Sequence, residues 1–249
     1  MRLREKTAIV TGAARGIGRA IASAYAREGA HVIVADILGE LAAEAAAEIR
    51  EAGGSALAVT ADLADLRAHE SLVNVALANF GRLDLLVNNA AIEPRAPFLS
   101  ASPEDWEATL NVNLRAPYFL SQRAAHAMLK TGGGRIINLA STHDVRPLRN
   151  ISIYSITKGG LMMLTKSLAL ELAEHRINVN AIAPGAILTE LNRSVLEEEA
   201  YRARVTAKIP HGRIGATSDL VGAAVFLASD DAAYITGTTI YVDGGLLLQ

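Results

Sequence analysis

A chain of 249 residues with 51% hydrophobic side chains can bury one large core. Its 24 Lys and Arg against 26 Asp and Glu leave a formal charge of -2, which indicates neither a basic nucleic-acid surface nor an acidic disordered tail. Cysteine is absent, which excludes disulfides and thiolate metal sites. No apolar run approaches the roughly 18 residues of a membrane span, and no signal core follows Met1. The expectation is a cytoplasmic protein with small-molecule partners, no nucleic acid, no membrane and no metal.

Residues 7–10 read as a short buried strand, followed by a glycine-rich turn from Thr11 to Gly18 and a helical pattern over 19–28 that Gly29 ends. Strand 31–35, helix 38–52 stopped by Gly53-Gly54, strand 56–60, helix 66–80 and strand 83–87 continue the alternation. Strands of about five residues between helices of about ten or more imply right-handed crossovers and a parallel sheet. Ser102-Pro103-Glu104-Asp105 combines an N-cap, a proline at the first helical position and an acid at N3, opening a helix that runs to Leu129 with a bend near Pro117. Strand 135–139, helix 154–175 and strand 178–181 follow. Pro184-Gly185 opens a long excursion with Glu197, Glu198 and Glu199 at its middle. Thr217 or Ser218 can cap a helix reaching Ala228, and 239–242 is the last strand. No repeat or linker divides residues 1–249, so a single domain is expected.

Gly12, Gly16 and Gly18 stand between the first strand and its helix. Glycines there permit a tight turn and let backbone N–H groups approach a pyrophosphate at the helix N-terminus; the alternative is a turn needed only for close helix–sheet packing. Asp36 ends the second strand, 18 residues after Gly18. A carboxylate there accepts from adenosine ribose hydroxyls and repels a 2′-phosphate, which favours NAD over NADP, while Arg15 is the competing signal for phosphate. Asp62 can accept from an adenine amino group or cap its own turn. Asn88-Asn89-Ala90, after the fourth strand, can tie strand-end loops together beside a cofactor.

Tyr154 and Lys158 lie four apart at the start of a helix and share one face, so the ammonium can sit beside the phenol and favour proton exchange near neutral pH. Pro117 lacks an N–H, so in a regular helix the Asn113 carbonyl loses its donor and a water can take that place. Gly159-Gly160 weakens a helix whose Leu161, Met162, Leu164, Leu168 and Leu172 present apolar surface on more than one side, which suits a subunit contact, as does Leu246-Leu247-Leu248.

Thr11 to Gly18, Asn88-Asn89-Ala90, Asn113, Ser141, Tyr154 with Lys158, and Pro184-Gly185 with Thr189 occur in an order that resembles the short-chain dehydrogenase/reductase family over almost the whole chain. The resemblance implies an α/β, Rossmann-like, doubly wound sheet of seven parallel strands flanked by helices, a substrate lid around 188–210 and a homotetramer. It implies Tyr154 as acid/base, Lys158 holding the nicotinamide ribose and lowering the tyrosine pKa, Ser141 bonding the reacting oxygen and Asn113 holding a water beside the lysine. The expected cofactor site is Gly12, Arg15, Gly16, Ile17, Gly18, Asp36, Asp62, Leu63, Asn89, Ala90, Tyr154, Lys158, Pro184, Gly185, Ile187 and Thr189.

Glu93, Arg95, His143, Asp144, Arg146, Arg149, Glu190 and Asn192 can approach the mouth, a set unusually polar for a steroid pocket. Glu93, Ser141, His143, Arg149, Tyr154 and Asn192 are the expected substrate contacts. Ser141-Thr142-His143 and Pro184-Gly185-Ala186-Ile187 are similar to bacterial sugar dehydrogenases related to glucose 1-dehydrogenase, which implies oxidation of a secondary alcohol on a sugar or polyol. Much of the remainder is equally similar to 3-oxoacyl-acyl-carrier-protein reductases, an alternative that the NAD expectation opposes. A non-catalytic NAD-binding regulator would be expected to disrupt the tyrosine, lysine, serine or asparagine, and none is disrupted.

Overall fold

The computed structural model describes residues 1–190, 193 and 198–249. Seven parallel strands run in the order β3-β2-β1-β4-β5-β6-β7. They are β1 (Thr7–Thr11), β2 (His31–Asp36), β3 (Ser55–Thr60), β4 (Leu85–Asn88), β5 (Gly134–Leu139), β6 (Ile177–Pro184) and β7 (Thr239–Val242). The strands read as apolar runs because helices cover both faces, and alternate residues feed opposite layers. Ala8 and Val10 pack with Tyr25 of α1 (Gly16–Arg27), Ala45 of α2 (Gly39–Glu51) and Leu220 of the helix Ser218–Ala228. Ile9 packs on the other side with Leu72 of α3 (Leu66–Phe80) and Leu120 of α5 (Ala116–Lys130).

Two local expectations are corrected and one is sharpened. The fourth strand starts at Leu85 rather than at position 83; Asp84, just before it, still bonds Thr7 and Arg135 through its backbone, and its buried carboxylate accepts from Thr7 N at 2.8 Å and from Arg82 Nε at 2.8 Å. The bend before Pro117 is a π-helical segment, Asn111–Arg115, linking α4 (Pro103–Leu110) to α5; the Ala116 N–H donates to the Asn111 carbonyl, so the helix continues with a shifted register. Thr217 makes no side-chain cap. Asp219 instead accepts from Ala216 N at 2.8 Å and pairs with Arg213 at 2.6 Å. Ser102, by contrast, caps α4 as expected, accepting from Asp105 N at 3.0 Å.

Tyr154 and Lys158 lie in the first turns of α6 (Ser152–Leu172). A Cβ at Gly160 would stand 3.0 Å from Leu114 Cδ2, so the π segment sits where a side chain would be; at Gly159 the one neighbour is the Asp144 carbonyl, at 3.7 Å. Leu161, Leu164 and Ala169 of α6 are buried, whereas Ile156, Met163 and Leu170 are exposed. The terminal Leu246–Leu248 forms one 3-10 turn. Among the described residues no helix is long and apolar enough to cross a membrane.

Candidate active site

The strand order reverses between β1 and β4, and open α/β sheets bind ligands in the crevice beyond the strand ends at such a point. A cavity of about 920 Å³ occupies it, reaching from Asp36 to Tyr154. Gly12 and Gly16 adopt φ of +62° and +60°, and a Cβ on Gly12 would lie 2.8 Å from Ala90 Cα. Gly18 does not line the cavity. A side chain there would strike the Gly12 carbonyl and the Asn89 amide, so Gly18 serves the packing of α1 on β1. Asn89 Nδ2 donates to the carbonyls of Thr11 at 2.8 Å and Gly12 at 2.9 Å, and the buried Asn88 Nδ2 donates to Asn138 Oδ1 at 2.8 Å and Ser121 Oγ at 3.0 Å. These amides hold the ends of β1, β4 and β5 together.

Arg15, Ile17, Asp36, Asp62, Leu63, Asn89 and Ala90 line the cavity at this end. Asp36 is oriented by the backbone: Oδ2 accepts from Ala14 N and Oδ1 from Leu38 N, each at 3.0 Å. Asp62 caps its own turn, accepting from Ala64 N at 2.9 Å, and still faces the cavity. Pro184, Gly185, Ile187 and Thr189 border it from the end of β6, with Glu190 Oε2 3.4 Å from the position of a Cβ on Gly16.

At the other end, Lys158 Nζ lies 5.4 Å from the Tyr154 ring centroid and donates to the Leu139 carbonyl at 2.6 Å. The His143 ring meets Tyr154 edge-on, with centroids 6.5 Å apart. His143 Nδ1 lies 2.9 Å from the Arg146 carbonyl, which can only accept, so that nitrogen carries the proton and Nε2 is the acceptor. Ser141 Oγ accepts from His143 N at 3.1 Å, and its hydroxyl is near enough to the Tyr154 phenol to favour the charged form. Glu93 pairs with Arg95 at 2.5 Å on the same wall.

The electrostatics differ from expectation. Burial first, and then the Glu93 carboxylate, push the Tyr154 phenol well above its ordinary range, against the Ser141 hydrogen bond. Burial pulls Lys158 down to about 8, opposed by the negative charges of Glu93 and Asp144. The expected lowering of the tyrosine by its lysine is not seen: burial and the negative charges of Glu93 and Asp144 raise the phenol, opposed by Ser141 and Arg95.

Asn113 is buried behind the cavity wall. Its Oδ1 accepts from Ile92 N and its Nδ2 donates to the Ile92 carbonyl, both at 2.9 Å, with Thr157 Oγ1 at 3.3 Å. It thus pins the segment after β4 next to the residue preceding Lys158. Of the expected substrate contacts, Glu93, Ser141, His143 and Tyr154 line the cavity. Arg149 is exposed and outside it, and Asn192 lies outside the described residues. Tyr201, Arg204 and Lys208 line the cavity from the helix Glu199–Thr206 and just beyond it, within the expected lid range. Leu246 also lines it, placed there by Arg146 Nη1, which donates to its carbonyl at 2.8 Å. Nothing local in the sequence signals that contact, because the two residues lie a hundred positions apart.

A crevice built in this way is that of a dinucleotide-binding oxidoreductase, and known proteins narrow the class. A family model described as enoyl-(acyl carrier protein) reductase matches residues 12–247. The chain is 42% identical over 248 residues to 3beta-hydroxysteroid dehydrogenase 1 of Eggerthella lenta, covering 99% of this chain and 95% of that protein. It is 44% identical over 254 residues to L-rhamnose 1-dehydrogenase (NAD(P)(+)) of Azotobacter vinelandii, covering 100% and 99%. A solved structure of a gluconate 5-dehydrogenase from Burkholderia cenocepacia, in complex with NADP and tartrate, matches with a TM-score of 0.95 at 37% identity, covering 100% and 97% of the two chains. The protein belongs to the short-chain dehydrogenase/reductase family and is an oxidoreductase with that family's NAD(P)-binding fold.

Proposed function

We propose that the protein oxidises a secondary alcohol of a sugar or similarly polyhydroxylated compound with NAD, reversibly with the ketone or lactone. The carrying observation is the wall around Tyr154, where His143, Arg146 and the Glu93–Arg95 pair line one cavity with Ser141. Such groups match several hydroxyls, whereas an acyl chain or steroid would leave them unpaired at about 1–3 kcal/mol each. Two of the three relatives described are named for a sugar or sugar acid, and the third for a steroid.

The residues fit a dinucleotide. Gly12 and Gly16 leave open the space a side chain would take, α1 directs its N-terminus at the turn, and Asp36 faces the far end. Asp36 would hold the adenosine ribose, Asp62 and Leu63 the adenine, Asn89 and Ala90 the middle of the site, Lys158 the nicotinamide ribose, and Pro184, Gly185, Ile187 and Thr189 the carboxamide side. When bound, the nicotinamide supplies the hydride acceptor. Ser141 and Tyr154 grip the substrate oxygen, and Tyr154 removes the hydroxyl proton in oxidation or donates one in reduction. Asn113 and Lys158 complete the proton route to solvent. NAD over NADP is supported by the Asp36 carboxylate, which two backbone N–H groups hold at the end of β2 and which would repel a 2′-phosphate.

The exposed Ile156, Met163 and Leu170 of α6 support a homotetramer, and a sequence free of cysteine is compatible with the reducing cytoplasm. A dehydrogenase screen with NAD and NADP against aldoses, polyols, a 3β-hydroxysteroid and a β-hydroxyacyl thioester tests the function. Turnover of polyhydroxylated compounds is expected. Efficient turnover of the thioester or the steroid alone would replace the sugar reading.

A further inference from the structure

Asp144 is a half-buried carboxylate that the chemistry above does not use. It sits in the turn after Ser141, its N–H donating to the Ser141 carbonyl at 3.0 Å, and its own carbonyl faces Gly159 of α6 at 3.7 Å from the position of a Cβ. From the far edge of the sheet, the Tyr241 hydroxyl of β7 donates to Asp144 Oδ1 at 3.2 Å. Oδ2 is buried and makes no hydrogen bond to the described residues, although the backbone N–H groups of Asp144 and Val145 are near enough to favour its charge. A carboxylate taken partly out of water without full compensation is costly, so its retention beside the reactive pair calls for a role.

The ionisable groups around it come from every neighbouring element. Lys158 and Tyr154 belong to α6, Tyr241 to β7, Glu93 with its partner Arg95 to the segment after β4, and His143 to the same turn. Arg146 is engaged with the Leu246 carbonyl. We propose that Asp144, held by the Tyr241 hydroxyl against the first turns of α6, is a positioning residue whose negative charge, added to that of Glu93, keeps Lys158 protonated and Tyr154 neutral. Burial raises Asp144 above the usual carboxylate range, and the Tyr241 hydrogen bond and Lys158 oppose that rise. Tyr241 therefore helps to keep the carboxylate charged. The side chains of β7 and of the turn after Ser141 are joined across 97 residues of sequence to control one proton.

The inference rests on the assignment of Tyr154 and Lys158 as the reactive pair. Removing the Asp144 charge takes away a contribution that raises Lys158 and one that raises Tyr154, so both groups move the same way. Asp144→Asn, which keeps the shape, should shift the alkaline limb of carbonyl reduction and the acid limb of alcohol oxidation both toward lower pH, by about one unit. Tyr241→Phe should move both limbs in that direction by less, and Asp144→Glu should restore them. In the cofactor-free protein, NMR titration of the labelled Lys158 side chain should show the same downward displacement in Asp144→Asn. A lower plateau with unmoved limbs and an unmoved Lys158 titration would make Asp144 a packing residue and overturn the proposal. Retained activity in Tyr154→Phe would instead remove the assignment beneath it.

Discussion

The two ends of the cavity are built on different principles. The glycine-turn end is made largely of backbone: Gly12 and Gly16 at positive φ, and two aspartates whose oxygens are already engaged by N–H groups within a few residues or on the adjoining turn. The tyrosine end is made of side chains from four parts of the chain, and several of them are buried with displaced proton affinities. The first end is a mould set by the backbone. The second concentrates electrostatic cost where a proton must move, which is where perturbed groups are expected in enzymes.

The sharpest way to separate the two ends is to disable one and leave the other intact. Tyr154→Phe should lower kcat by at least about a hundredfold, the lower part of the range for a general acid/base, while cofactor affinity measured by fluorescence or calorimetry stays near wild type. Near-wild-type turnover would take the chemistry away from the tyrosine end. The complementary change is Gly18→Ala. Its methyl would press on the Gly12 carbonyl and the Asn89 amide, neither of which can yield without moving the turn. A loss of about 1–3 kcal/mol of stability is expected, with a lower Tm and weaker cofactor binding. Unchanged stability would show the mould to be softer than its geometry indicates.

The pH profile tests the electrostatic half of the contrast. Lys158 titrates at about 8, below its ordinary 10.5, so its charge is present at lower pH and lost as pH rises through that value. Burial raises Tyr154 instead, so the proton that carbonyl reduction draws on is held in place. For carbonyl reduction, kcat/KM should be level below about 8 and fall roughly tenfold per unit above it. A profile level up to pH 10 would mean that Lys158 is not desolvated in the working enzyme.

The same contrast explains what could be read from the sequence. The glycine turn, Asp36, the Asn88-Asn89 pair and the Ser102 cap were legible because each acts on backbone nearby or at a strand end whose position the alternation of elements already sets. Tyr154 and Lys158 were legible as a pair for the same reason, being one helical turn apart. Their proton affinities were not. These depend on burial and on Glu93 and Asp144, which the fold brings in from elsewhere. Local spacing misplaced one detail, since Thr217 has a cap-forming side chain that Asp219 makes unnecessary, and it did not show that the empty side of Gly18 faces the Gly12 carbonyl and Asn89. Tyr241 carries no local signal, and the apolar run at Leu246 signals burial but not the cavity it lines, since both roles come from pairing β7 next to β6.

The smallest expected effect concerns cofactor choice at the mould. Asp36→Asn keeps a carbonyl oxygen that can accept from Ala14 N or Leu38 N, and so preserves much of the turn while removing the charge. Arg15, on the same stretch of wall, would then face an incoming phosphate without an opposing carboxylate. Because the site is open to solvent, the electrostatic change should be modest, about 1 kcal/mol, moving the ratio of kcat/KM for NADP over that for NAD upward by roughly fivefold. The wild-type ratio, measured alongside, should favour NAD. A wild-type preference for NADP would show that Arg15 already outweighs Asp36. A ratio unmoved by the substitution would show that the shape of the turn, rather than the charge at the end of β2, selects the cofactor.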